Sequence, residues 1–356
     1  MSQLNATTST LQQSSKKAAV FVVSFLIVAI AGLWYVKWSP YYDKSILAAT
    51  THSIGTSILG DKADLPSSSW SSAWAYALVY FTAVWKAAIL GILLGSLLQV
   101  LLPANWLIRV LGKTSFGSTA IAGLASIPGM MCTCCAAPIA VGLRKKNASI
   151  GATLAFWIGN PTINPATLIF MTFVLSWKFT LLRLIFGVIL TFGVSYLANR
   201  FAPEVKPVDI EKIMEETDVV PEGSFLTRWM KAAGSMVLYI IPAYILSVLL
   251  MGAVRVWLFP HIGEAASNSL IAVIGFAIAG MLFVIPTAAE IPIIQTFMSF
   301  GLGGGPAAAL LITLPSISLP SLILVAKSFP KKVLFFVAGS VVLLGILSGI
   351  AGMFIL

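Results

Sequence analysis

Long apolar runs separated by short polar or basic turns make up most of the chain. They lie at about 18–36, 75–102, 116–143, 150–176, 180–199, 232–258, 268–300, 305–327 and 332–355. Nearly continuous apolarity over such lengths predicts membrane helices rather than a barrel, whose strands would alternate over roughly 10 residues. Breakers interrupt four of the runs: Pro128-Gly129 and Pro138, Asn160 to Pro165, Pro286 and Pro292, and Pro315 and Pro320. At membrane depth, breakers usually mean backbone diverted from the helix ladder to line a cavity. The polar segments complete the pattern. Residues 1–17 read as a disordered tail, and 18–72 as an anchor helix followed by a Ser-rich loop over 37–72 on the outer side. The run 18–36 is expected to stay uncleaved: it is long, ends in Trp34-Tyr35 and lacks a small-residue cleavage site. Residues 201–231 read as a polar cytoplasmic linker with seven of the chain's 12 acids.

Composition sharpens the class. Hydrophobic residues make up 58% of the chain and charged residues 10%, with mean hydropathy +0.97. A soluble domain carries about 25% charge, so this is an integral membrane protein. The net charge of +10 does not point to nucleic acid, because the basic residues are scattered over interhelical turns. They set orientation instead. Arg109 and Lys113 precede the run 116–143, and Arg144, Lys145 and Lys146 follow it. A hairpin that enters and returns keeps both clusters inside, so 116–143 is predicted to be re-entrant.

The two halves of the chain align when slid by 154 residues. Pro138 falls on Pro292, Gly151 on Gly305 and Ala155 on Ala309, and Pro161-Thr162-Ile163 matches Pro315-Ser316-Ile317. Apolar matches are cheap in this composition, but shared prolines are not. Each half reads as a long span, a broken hairpin, a broken span and a final span. A returning hairpin adds no net crossing, so each half crosses an odd number of times and the second copy should be upside down. The fold expected is an all-α integral membrane bundle built from two inverted repeats, 73–200 and 232–356, each with a broken re-entrant helical hairpin.

The candidate chemistry sits at the breaks. Cys132, Cys134 and Cys135 form overlapping C-x-C and C-x-x-C spacings. They could pack as small apolar groups, capture soft ligands or exchange thiol for disulfide. In NPTINP, proline frees carbonyls, while Asn160 and Asn164, beside Pro161 and Pro165, offer amides on one helix face. The second-half counterpart offers Ser316 and Ser318. Glu290, just before Pro292 and near Thr287, is the one acid inside a long apolar segment. It is a candidate proton carrier, or else a hairpin-tip carboxylate capping a helix. Lys86 and Arg183 lie near span ends, from which they can snorkel. His52 and His261 have no neighbours at metal-ligand spacing, and no Walker loop, zinc motif or Ser-His-Asp pattern occurs. Neither a cofactor, nor a resident metal, nor an enzymatic reaction is expected.

Together these marks resemble the predicted bacterial permeases of the ArsP/YraQ type. The resemblance rests on the cysteine-bearing hairpin ending in Pro138, on GLRKKNASIGATLAF, on NPTINPATL, and on EIPI and LPSISLPSL in the second half. It covers about residues 78–350. It implies a multi-pass permease of the bacterial inner membrane, whose characterised relatives export trivalent organoarsenicals such as methylarsenite, bound through cysteines. Cys132 and Cys134 would be those thiols, as candidate ligands for a soft metalloid, with Cys135 in addition. The expected function is a secondary transporter exporting a small thiophilic solute by proton exchange, with that solute and the lipid bilayer as partners. The alternative is a membrane thiol–disulfide oxidoreductase using Cys132 and Cys135.

Overall fold

Serine, asparagine and proline at the edges of the apolar runs stand where most of the helices begin. A computed structural model describes residues 19–59, 70–202, 224–259 and 269–356. The expected N-terminal tail, most of the acidic linker and His261 lie outside the described residues. Helix α1 (Ala19–Thr51), α2 (Trp70–Leu101) and the short α3 (Ala104–Leu111) lead to the two arms of the expected first hairpin, α4 (Phe116–Ser126) and α5 (Thr133–Lys145). Then come α6 (Ile150–Thr162), α7 (Pro165–Val174) and α8 (Trp177–Phe201). The second half runs α9 (Phe225–Leu258), α10 (Leu270–Leu282), α11 (Glu290–Ser299), α12 (Gly304–Ser316), α13 (Leu319–Val325) and α14 (Lys331–Ile355). No strand occurs among the described residues. Six helical stretches are long and apolar enough to cross a membrane: α1, α2, α8, α9, α12 continued by α13, and α14. This is a multi-pass helical membrane protein.

The boundaries of these elements repeat at the same interval of 154. Helices α6 and α12 coincide at both ends under that shift, and so do α8 and α14. Ser115 caps α4 by accepting from Ser118 N, and Ser269 caps α10 by accepting from Ala272 N. Asn164 caps α7, and Ser318 caps α13. At the turns from α5 to α6 and from α11 to α12, Asn147 (φ 59°) and Gly301 (φ 97°) both have positive φ. Two pairs of helices at corresponding positions run antiparallel. In α2 and α9, Trp229 Nε1 donates to Ser96 Oγ toward one end, while Gly252 lies against Ala73 at the other. In α8 and α14, Lys178 Nζ donates to Ile355 O, and Phe201 stacks on Phe336.

Helices α6 and α12 form the centre. Every residue from Gly305 to Ser316 is buried, as is all of α6 except Phe156. Small residues let the surrounding helices close on them, since packing rather than a hydrophobic drive holds membrane helices together. A Cβ at Gly91 would overlap the Cys135 carbonyl oxygen, and one at Gly95 would stand 2.5 Å from Pro138 O. Helix α2 therefore rides directly on the backbone of the cysteine-bearing α5.

Three expectations need correction. The segment 37–72 is not simply a loop, because α1 continues through a π turn at Trp34–Trp38 as far as Thr51. Pro138 does not break the hairpin arm. It lies inside α5, and the break falls earlier, in the 3₁₀ turn Ile127–Gly129 and the extended residues up to Cys132. Pro292 sits in the first turn of α11, where the missing N–H would have had no helical partner anyway.

Candidate functional site

Four interruptions meet at one point. The first is the turn before α5, the second the Ile163-Asn164 gap between α6 and α7, the third the stretch Phe283–Ala289 before α11, and the fourth the Ile317-Ser318 gap between α12 and α13. The halves interlock there, for α13 packs on α5 and α11 packs on α7. A cavity of about 10 Å³, room for one water, lies between them. Its lining includes Cys132, Pro161, Thr167, Thr287, Glu290 and Ser318, which come from all four breaks.

Arg183 holds the centre. It was expected to snorkel from a span end, but the structure buries it, 1% exposed. Pro165 has no N–H for the Pro161 carbonyl, and Pro315 has none for that of Leu311. The Arg183 guanidinium satisfies both: Nη2 donates to Pro161 O at 2.7 Å, and Nη1 donates to Leu311 O. Its Nε donates to Thr162 O at 2.9 Å, and Nη2 also reaches Glu290 Oε1 at 3.2 Å. One side chain thus clamps both broken helices and the second hairpin. Glu290 Oε2 is buried and has no hydrogen-bond partner among the described residues.

The thiols are buried and unbridged. Cys132 Sγ lies 2.9 Å from Cys135 Sγ. Cys134 points elsewhere: its sulfur is 3.9 Å from Ser318 Oγ, beside the hydroxyl pair Tyr80–Tyr244, whose oxygens are 2.8 Å apart. Of the three, only Cys132 lines the small cavity.

Lys37 is the residue that motif reading missed. It is 5% exposed, and its ammonium donates to Tyr41 Oη at 3.0 Å and Thr287 Oγ1 at 3.1 Å. Thr287 and Cys132 line the same small cavity. Helix α1, expected to be a plain anchor, delivers a cation to the thiols. Trp38 fixes its register by donating from Nε1 to Pro128 O at 2.8 Å.

The remaining candidates divide by role. Asn160 and Asn164 do not share a helix face, because α6 ends between them. Asn160 Oδ1 accepts from Met131 N at 3.4 Å and its Nδ2 donates to Phe156 O, which pins the first break to α6. Asn164 Oδ1 caps α7 by accepting from Ala166 N and Thr167 N, and its Nδ2 is left without a partner among the described residues. Pro165 opens α7. Ser316 Oγ donates to Ile312 O, and Pro292 faces a separate cavity. At the C-terminal end of α5, Lys146 donates to Leu102 O at 3.1 Å. Burial, and then the charge of Arg228, pulls its ammonium below the usual lysine value. His52 Nδ1 pairs with Phe173 O in a loop, and no group of three metal-ligating side chains forms among the described residues.

A family model described as a predicted permease matches residues 78–354. The chain is 50% identical over 348 residues to the UPF0718 protein YraQ of Escherichia coli K12, covering 95% of this chain and 97% of that one. It is 21% identical over 317 residues to the UPF0718 protein MJ0584 of Methanocaldococcus jannaschii, covering 71% and 87%. No solved structure matches it.

Proposed function

Because the chain belongs to this predicted-permease family, we propose that it is a secondary transporter of the bacterial inner membrane. It exports a small thiophilic solute of the trivalent organoarsenical kind through the four-break site. Membership of this family supports a membrane transporter. One observation carries the finer reading: breaks from both halves of the chain converge on a single cavity that presents a thiol, Cys132, and a carboxylate, Glu290. Thiols suit a soft solute. Proton exchange would use Glu290 Oε2, the oxygen that Arg183 leaves unpaired. Outward direction is part of the proposal, and the resemblance to exporting permeases is what supports it.

Two inverted repeats with re-entrant hairpins underlie this reading. The antiparallel course of α2 and α9, and of α8 and α14, supports inversion. The hairpin arms α4 and α5 have 11 and 13 residues. At about 1.5 Å per residue they reach roughly 16–20 Å, short of a ~30 Å hydrocarbon core. The 2.9 Å approach of Cys132 to Cys135 is what favours the thiol–disulfide alternative. Against it, both sulfurs are buried where a partner's thiol has no access.

A resistance and uptake assay in an arsenic-sensitive bacterium tests the proposal. Cells expressing the wild type should survive methylarsenite, and the Cys132→Ser/Cys134→Ser form should not protect them. Protection that survives the double substitution would sink thiol capture.

A further inference from the structure

A second, larger cavity of about 460 Å³ adjoins the thiol site and shares Pro286, Thr287 and Ala288 with it as lining. It opens between α1, α2 and the turn before α11, and three lysines line it: Lys37, Lys44 and Lys86. No carboxylate does, among the described residues. Asp43, the acid next to Lys44 in sequence, is exposed, and the one ion pair among the described residues is Arg183 with Glu290. Lys37 stands at the inner end, buried; among the described residues its ammonium hydrogen-bonds the hydroxyls of Tyr41 and Thr287, lies over the Tyr41 ring at 5.1 Å and faces the thiols, with no carboxylate beside it. Hydroxyls solvate an ammonium but do not neutralise it, and buried charges in proteins are normally paired. Lys86 lies nearer the opening, beside the rings of Tyr35 and Trp85 at 5.5 and 5.7 Å.

We infer that this vestibule is a binding site for a small soluble anion, with Lys37 as the inner contact and Lys44 and Lys86 as the outer charges. The missing counter-charge of Lys37 is supplied by the ligand. A cleft lined by one sign of charge between low-dielectric walls focuses the field and concentrates counter-ions. The inference goes beyond thiol capture and does not depend on it, for the lysines and their cavity remain if the thiols are removed.

The test therefore uses a thiol-free background. The full chain, with Cys132, Cys134 and Cys135 replaced by serine and Ala83→Cys placed in the vestibule lining, is reconstituted in phosphatidylcholine nanodiscs. It is labelled with anionic 2-sulfonatoethyl methanethiosulfonate or with the cationic trimethylammonioethyl analogue. Relative to a free thiol, the anionic-to-cationic rate ratio should rise at least about tenfold. It should fall severalfold in Lys37→Gln and in Lys86→Gln, and return in Lys37→Arg. Inorganic sulfate should slow the anionic reagent. A ratio equal to that of the free thiol overturns the inference without any lysine variant being needed. So does a raised ratio that the glutamine substitutions leave unchanged, or one that sulfate does not reduce.

Discussion

Arg183 Nη2 and Glu290 Oε1 meet 3.2 Å apart at the centre of the bundle and join the last span of the first half to the second hairpin. The pair is not symmetric in what it supports. Glu290 has Arg183 as its side-chain partner, whereas Arg183 also holds the carbonyls of Pro161, Thr162 and Leu311. Arg183→Leu should therefore cost about 3–5 kcal/mol, as expected when one partner of a buried pair is lost. Glu290→Gln should cost clearly less, because the three carbonyl bonds remain. Thermal unfolding in detergent reads the difference. Equal losses of Tm for the two variants would refute the clamp.

Lys37 ties the N-terminal helix to the site through Thr287. Lys37→Met should leave expression and monodispersity unchanged and lower transport by about tenfold, the equivalent of one charge-assisted hydrogen bond of ~1.4 kcal/mol. Transport per amount of folded protein is the quantity to measure. Wild-type transport would reduce α1 to an anchor.

Gly91 and Gly95 allow α2 to ride on the α5 backbone. Gly91→Ala should displace α5 and lower stability by about 1–3 kcal/mol, the usual cost of overpacking. Gly275→Ala is the control, since its Cβ would meet nothing within 4 Å. There the gain in helix propensity, up to ~1 kcal/mol, should stand alone. Fluorescence-detected size exclusion after a heat step separates the two outcomes.

Asn147, in the turn from α5 to α6, and Gly301, in the turn from α11 to α12, both have positive φ. Gly301→Asn should be tolerated. Gly301→Val should cost about 1–2 kcal/mol, because a Cβ clashes with the carbonyl in that conformation. Equal melting temperatures for the two variants would contradict this.

Some of the site was legible in the residues. Cys132, Pro161, Thr287, Glu290 and Ser318 were singled out from breaker patterns and all line one cavity. The partner of Glu290 was legible in principle too. A lone acid within membrane sequence needs a base, and Arg183 is a lone arginine in an apolar span. Position near a span end misled, because distance along the sequence says nothing of which neighbour covers a side chain. Lys37 carried no such signal: one lysine after WYV at the end of an apolar run reads as an interfacial anchor.

The sequence by itself determined the class, the helices and the places where they break. Apolar length sets a membrane helix, proline removes donors, and serine or asparagine restores the caps, all within a few residues of chain. The 154-residue spacing of prolines and helix boundaries was legible for the same reason, since prolines and turn residues act locally. Only the tertiary structure decided that Asn160 pins a turn while Asn164 caps a helix, that Cys134 approaches Ser318 while Cys132 approaches Cys135, and that Lys37 and Arg183 reach the centre. Those outcomes depend on which helices pack together, and that is set by close backbone approach at glycines and by charges seeking partners across 107 to 250 residues of sequence.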